Sequence, residues 1–257
     1  MPLRRRDVMT TLAAGAVFGL AKQVEARAQP AGRVRNVVLA HGLFADGSCW
    51  SEVIARLQAA GLNATAVQNP LTTLAEAADS IRRVLDRQDG PTVLVGHSFA
   101  GVLISETGLH PKVASLVYVA ARAPDAGEDY AALAELFPTP PAGAGIVFDA
   151  DEGRLTETAF LRDFAGDLPA ERARVLYAVQ QPFRRSLTAE RTTAAAWKAR
   201  PSFYAVSTED RTIDPDLQRF MAGRMKARTI EVQASHLSPI SRPKQIAALV
   251  LEATRVA

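Results

Sequence analysis

The sequence predicts an α/β fold: a mostly parallel six-stranded sheet flanked by helices, with a helical cap inserted into it. Three observations lead there. From Val34 onward, short runs rich in Val, Ile and Leu alternate with longer stretches of helical periodicity, the pattern of strand–helix–strand units. Runs such as Val93-Leu94-Val95 are apolar at every position, so both faces of the sheet have to be covered. Between about Arg122 and Lys198 the alternation stops, which marks an insertion. With 257 residues and 48% hydrophobic content, the chain suits one large domain better than two small ones.

The first 28 residues stand apart from that domain, which is expected over residues 29–257. Arg4-Arg5-Arg6 precedes a mildly apolar run from Val8 to Ala21, and Ala26-Arg27-Ala28 ends it. A charged start, a short apolar stretch and an A-x-A ending are the marks of an export signal, and the paired arginines resemble the twin-arginine type. A run of about 14 apolar residues falls short of the roughly 20 needed to cross a bilayer. Cleavage would leave the mature chain in a bacterial periplasm, with no membrane attachment. The segment holds five of the 30 Lys and Arg and two of the 27 Asp and Glu, so the remainder balances at 25 of each. Without the leader, the excess of positive charge that would suggest a nucleic-acid partner disappears. Cys49 is alone, so no intramolecular disulfide can form.

Along the domain, strands are expected at Asn36–Ala40, Asn63–Val67, Thr92–Val95, Ala114–Val119, Ser202–Val206 and Thr229–Val232. Helices are expected between them: Trp50 to Ala60 ending at Gly61, Leu74 to Gln88 ending before Gly90, Val102 to His110, and Ile246 to Thr254 at the end of the chain. The inserted cap, about residues 122–198, contains the breaker cluster Phe137-Pro138-Thr139-Pro140-Pro141-Ala142-Gly143 and helix-like stretches around Tyr130 to Phe137 and Pro169 to Gln180, with no strand alternation. Lying over the carboxyl ends of the strands, such a cap would shield a site from water and shape its pocket.

Gly96-His97-Ser98-Phe99-Ala100-Gly101 stands directly after one strand and opens a helix, the setting of a nucleophile elbow. On such a turn a serine projects into the cleft, and the N–H of the next residue, Phe99, faces any oxyanion formed on an attacked carbonyl. The usual G-x-S-x-G pattern has glycine two residues after the serine; here Ala100 stands there and the glycine follows at Gly101. A serine needs a base to act as a nucleophile, and the base needs a third group to orient it. Of the four histidines, His41 begins a turn, His97 is next door to the serine and points away, and His110 ends a helix, which leaves His236 between the last strand and the last helix. The acid is expected between serine and histidine in chain order: Asp210, after the strand Phe203 to Val206, with Asp125 as the competitor. Glu209 would face solvent, and Asp214 and Asp216 flank Pro215 as helix-start residues. The second oxyanion donor is expected in His41-Gly42-Leu43-Phe44 after the first strand, at the N–H of Leu43.

His41-Gly42-Leu43-Phe44-Ala45-Asp46-Gly47-Ser48-Cys49-Trp50, Gly96-His97-Ser98-Phe99, Thr208-Glu209-Asp210 and Ser235-His236 together resemble the α/β-hydrolase superfamily. Within it they are most similar to the small esterase and hydroxynitrile-lyase branch that includes the salicylic-acid-binding methyl-ester hydrolases. The resemblance implies a serine hydrolase of small or medium carboxylic esters, with Ser98, Asp210 and His236 as triad, Leu43 and Phe99 as oxyanion donors, and no metal or organic cofactor. Hydroxynitrile lyases of the branch carry threonine where this chain has Gly42 and lysine where it has Leu237, so cyanohydrin cleavage is not implied. Dehalogenases and epoxide hydrolases need a carboxylate nucleophile, which Ser98 is not. A ligand-binding protein with little turnover and a cofactor-free perhydrolase share the same triad and stay open as alternatives.

Overall fold

The computed structural model describes residues 34–256; the expected leader at residues 1–28 lies outside them. The first strand, β1 (Asn36–Ala40), is buried at every position. A single turn of 3₁₀ helix, Gly47–Trp50, capped by the Asp46 carboxylate on Ser48 N–H at 2.6 Å, leads into α1 (Ser51–Ala59). Then come β2 (Asn63–Val67), α2 (Leu74–Asp86), β3 (Thr92–His97), α3 (Ala100–Thr107) and β4 (Val113–Val119). Thr73 caps α2 through Glu76 N–H at 3.2 Å, the residue spacing of a capping box.

The chain then leaves the sheet for the cap, with α4 (Tyr130–Ala134), β5 (Ile146–Asp149), β6 (Glu152–Leu155), α5 (Glu157–Ala159), a π turn at Phe160–Phe164, α6 (Ala170–Ala178) and β7 (Phe183–Arg184). It returns through β8 (Ser202–Ser207), α7 (Pro215–Arg224), β9 (Arg228–Val232), the short α8 (Ser238–Ser241) and α9 (Pro243–Ala253).

The six strands of the main sheet run parallel in the order β2-β1-β3-β4-β8-β9. The four inner strands are almost wholly buried, as their apolar composition requires, whereas the edge strands Asn-Ala-Thr-Ala-Val and Arg-Thr-Ile-Glu-Val keep polar, partly exposed positions. From β1 the chain steps outward to β2 and then back across β1 to β3, after which the sheet grows the other way. The order therefore reverses between β1 and β3, and in an open parallel sheet the crevice for a ligand lies at the carboxyl ends of the strands on either side of such a reversal. Those two ends carry His41-Gly42-Leu43 and Ser98.

The cap differs from the expectation of a segment without strands: β5, β6 and β7 form a small antiparallel sheet. Three features hid it. The strands are only four, four and two residues long, too short for a readable period. Their turn uses Ala150 at φ +48°, a conformation usually signalled by Gly or Asn. Gly153 reads as a breaker, yet a Cβ there would come within 2.4 Å of the Phe183 ring, so the glycine is what lets the rings of Phe148 and Phe183 close over the strand.

Candidate active site

Ser98 sits at φ +57° between the end of β3 and the start of α3. This left-handed conformation strains a residue with a β-carbon and persists only where its surroundings enforce it. Three backbone hydrogen bonds do so: Ser98 N–H to Val119 O at 3.1 Å, and the N–H groups of Gly101 and Arg122 to Ser98 O, both at 3.0 Å. The neighbouring glycines make the close approach possible. A Cβ on Gly96 would lie 2.7 Å from Ala100 O, and one on Gly101 would lie 1.9 Å from Arg122 O. The space the turn needs is thus at Gly101, and Ala100 fits, fully buried, where the usual pattern has glycine.

The loop after β1 passes directly over the serine. A Cβ on Gly42 would fall 2.6 Å from Ser98 Cβ and 3.0 Å from Ser98 Oγ, so any side chain here would press on the hydroxyl. Asn69 Nδ2 donates to His41 O at 3.2 Å and His41 Nδ1 donates to Gly42 O at 3.0 Å, which steadies the loop. Phe44 follows at φ +62°. Neither Leu43 N–H nor Phe99 N–H donates to an acceptor among the described residues.

His236 lies in the loop between β9 and α8, and its Nδ1 donates to Asp210 Oδ2 at 2.7 Å with both side chains fully buried. That bond assigns the proton to Nδ1 and leaves the lone pair on Nε2, which has no partner among the described residues. No hydrogen bond joins Ser98 Oγ to Nε2 in this structure; such contacts are often loose before substrate binds. Asp210 is held on both oxygens. Oδ1 accepts from Thr212 N–H at 2.7 Å and Ile213 N–H at 3.0 Å, and Oδ2 accepts from Gln218 Nε2 at 2.8 Å beside His236. Gln218, on α7, also donates to Ile213 O at 2.9 Å and accepts from Ser207 N–H at 3.1 Å.

Two residues of this network escaped the sequence reading. Gln218 is fully buried beside Leu217 and Met221, and an amide among the apolar positions of a helix was the available signal. His97 does more than stand beside the serine: its Nε2 donates to His236 O at 2.9 Å and its ring lies 4.7 Å from that of His236. The competitor acid Asp125 lies elsewhere, paired to Lys198 at 2.6 Å, whose ammonium holds its carboxyl below the usual carboxylate range. Glu209 is exposed and accepts from Gln233, Asp214 caps α7, and His110 pairs with Asp86 at 3.1 Å.

The cap is tied to both loops that bear these groups. Asp163, fully buried, is paired with Arg162 at 2.7 Å and with Arg211, the residue after Asp210, at 2.8 Å. Ser235, the residue before His236, donates to Asp167, which Arg242 approaches at 3.6 Å. Phe164 places its ring 5.1 Å from that of His236 and edge-on to Phe44 at 5.7 Å. Beside them an apolar crevice of about 270 Å³, including its open mouth, is lined by Phe44, Phe160, Phe164, Leu176, Val179 and Leu237; Ser98 is not among its walls. Three other cap aromatics lie apart from it. Trp197 donates to Pro124 O at 2.9 Å, Phe137 packs on Phe220, and Phe148 stacks under Arg185. Among the described residues no group of three or more His, Cys, Asp or Glu is arranged to hold a metal ion.

Burial also gives the site a pH signature. Loss of hydration pushes the imidazole of His97 well below its ordinary 6.5, helped by the neighbouring His236, and lowers that of His41 despite its bond to Gly42 O. Both stay neutral in the folded protein at pH values where the unfolded chain takes up protons. Stability is therefore complete above about pH 6.5 and falls as pH drops below it, by up to about 1.4 kcal/mol per pH unit per histidine. Calorimetry should find a lower Tm at pH 5 than at pH 7.5, and an unchanged Tm would contradict a neutral, buried pair.

The class follows from the fold, and the family from comparison: residues 37–249 match the model of the alpha/beta hydrolase family, to which the chain belongs. It is similar to a pyrethroid hydrolase of Sphingobium wenxiniae, 26% identical over 85% of this chain and 87% of the relative, and to methylesterase 7 of Arabidopsis thaliana, 26% identical over 85% and 95%. Among solved structures, a pyrethroid hydrolase from Sphingobium faniae superposes with a TM-score of 0.72 at 21% identity, covering 86% of this chain and 98% of its own.

Proposed function

We propose that this chain is a serine hydrolase of small or medium carboxylic esters, working through an acyl-enzyme. The observation that carries the reading is the buried His236–Asp210 pair at 2.7 Å, packed on His97, the residue before a serine held at φ +57°. Family membership and relatives that include a methylesterase support the same chemistry. In this reading His236 Nε2 takes the proton of Ser98 Oγ as the oxygen attacks the ester carbonyl, and the N–H groups of Leu43 and Phe99 receive the developing oxyanion. His236 then protonates the leaving alcohol, and a water deprotonated by the same nitrogen releases the acid. Asp210 holds the imidazole with its proton on Nδ1 throughout, and stabilises the positive charge when it forms. The proposal includes export by the twin-arginine leader, followed by its removal.

A fluorophosphonate probe tests the central step, because it phosphonylates only a serine whose hydroxyl is activated and whose oxyanion site is formed. The protein lacking residues 1–28 should be labelled stoichiometrically, with the added mass on the peptide that contains Ser98. Absence of labelling in folded protein would overturn the hydrolase reading and favour a binding role.

A further inference from the structure

Arg122 is the residue of the site with the least explained chemistry. It follows β4, whose end aligns His97 with Val119, so the residues beyond emerge at the same sheet edge as Ser98. The chain turns at Ala120, φ +43°, and Tyr204 Oη fastens it by accepting from Ala121 N–H at 3.1 Å and donating to Ala121 O. Arg122 N–H then bonds Ser98 O at 3.0 Å, so the side chain starts directly beside the nucleophile's own peptide. It runs past the ring of Phe99, with the guanidinium carbon 5.8 Å from the centroid, to the ring of Tyr130 at 4.5 Å.

A guanidinium carries five N–H donors in a planar fork and stays charged at any ordinary pH. None of those of Arg122 reaches an acceptor among the described residues, and its Nε is completely buried. Loss of hydration lowers its pKa, with only the Tyr130 oxygen acting in the other direction and no carboxylate close enough to contribute. Arg224 also buries an unpartnered Nε, but its terminal nitrogens meet Glu128 at 2.6 and 2.9 Å and Ala123 O at 2.7 Å, which those of Arg122 do not match. Contacts with two aromatic faces offset only part of what it costs to enclose a cation whose donors are unmet. Arg122 as a whole residue is half-buried rather than fully enclosed. A charged fork whose backbone is bonded to the nucleophile's own carbonyl, which stacks on the ring of the next residue and is short of acceptors, fits a planar anion.

We propose that Arg122 receives a carboxylate carried by the substrate, so that the ester this enzyme prefers is negatively charged. The inference rests on the ester-hydrolase reading and adds to it the class of ester.

Two matched pairs of esters test it. Mono-4-nitrophenyl glutarate against 4-nitrophenyl pentanoate places the charge on the acyl side, and 4-acetoxybenzoate against phenyl acetate places it on the alcohol side. The wild type should show a higher kcat/KM for the charged member of at least one pair, and 0.5 M salt should shrink that preference. In Arg122→Gln the charged-to-neutral ratio for that pair should fall about tenfold or more, chiefly through KM, while Arg122→Lys keeps part of it. Equal losses on both members of both pairs, or no wild-type preference in either, would make Arg122 a brace stacked between Phe99 and Tyr130 and overturn the proposal. Should Arg122→Gln fail to fold, the wild-type ratios and their salt dependence decide alone. Failure to cleave any of the four esters is a different outcome, which removes the hydrolase reading and this proposal with it.

Discussion

Ser98→Ala, His236→Ala and the double substitution will each lower kcat for an activated ester by a similar factor, on the order of 10⁴ or more, with no further loss in the double variant. The similarity follows from the division of labour in the proposed mechanism. Without Nε2 the Ser98 hydroxyl keeps its proton and is a poor nucleophile; without the hydroxyl, the base has nothing to activate on the serine path. Each substitution therefore removes the whole covalent route, worth about 5.5 kcal/mol of barrier for a factor of 10⁴. What remains is a bound ester with Leu43 and Phe99 N–H groups near its carbonyl and water as the nucleophile. Both side chains are small losses to the fold by comparison, although His236 is fully buried and its removal leaves Asp210 short of one donor. Turnover of 4-nitrophenyl esters, measured with Tm for each variant, separates the two effects. Multiplicative losses in the double variant, or a Ser98→Ala protein with a tenth of wild-type activity, would mean that the two groups do not act on one path.

What could be read from sequence depended on how local the signal was. The inner strands announce themselves because burial on both faces leaves them apolar throughout, as in Val93-Leu94-Val95. Ser98, Asp210 and His236 stand out because each lies within four residues after the end of a strand of the parallel sheet, and those loops gather at one edge. The displaced glycine was visible as a departure, but its reason was not. Gly101 meets the carbonyl of Arg122, 21 positions along the chain, and only the folded backbone shows that approach. The His97 bond to His236 O and the crevice walls at Phe160, Phe164 and Val179 are likewise long-range pairings with no motif of their own, whereas Gln218, eight positions from Asp210, left only the faint signal of an amide among apolar helix positions. The cap hairpin was hidden for the opposite reason: its turn is local, yet it bends at Ala150, a residue that gives no turn signal.

Asp210→Asn should lower kcat by about 10⁴ while leaving the protein folded, and the loss should come from the wrong tautomer of His236. Oδ2 of Asp210 accepts from two donors, His236 Nδ1 and Gln218 Nε2, while Oδ1 accepts from the N–H groups of Thr212 and Ile213. An asparagine has one acceptor oxygen and one donor nitrogen, so it cannot satisfy all four. The two backbone N–H groups are fixed by the turn and will claim the oxygen. The amide nitrogen then faces His236 and Gln218, where it can bond the imidazole only if Nδ1 has lost its proton and Nε2 carries it. A histidine in that state presents a donor to Ser98 instead of a lone pair, and cannot accept the hydroxyl proton. The carboxylate's charge is lost as well, so an imidazolium formed during reaction has no partner. Gln218→Leu provides the comparison. It leaves the carboxylate on His236 but strips one donor from Asp210 and the partners of Ser207 N–H and Ile213 O. It should therefore cost about 1–3 kcal/mol in stability with a far smaller change in kcat. Nitrogen NMR of the His236 ring distinguishes the tautomers directly. An Asp210→Asn enzyme that loses its activity with the proton still on Nδ1 would move the role of Asp210 from tautomer control to charge alone.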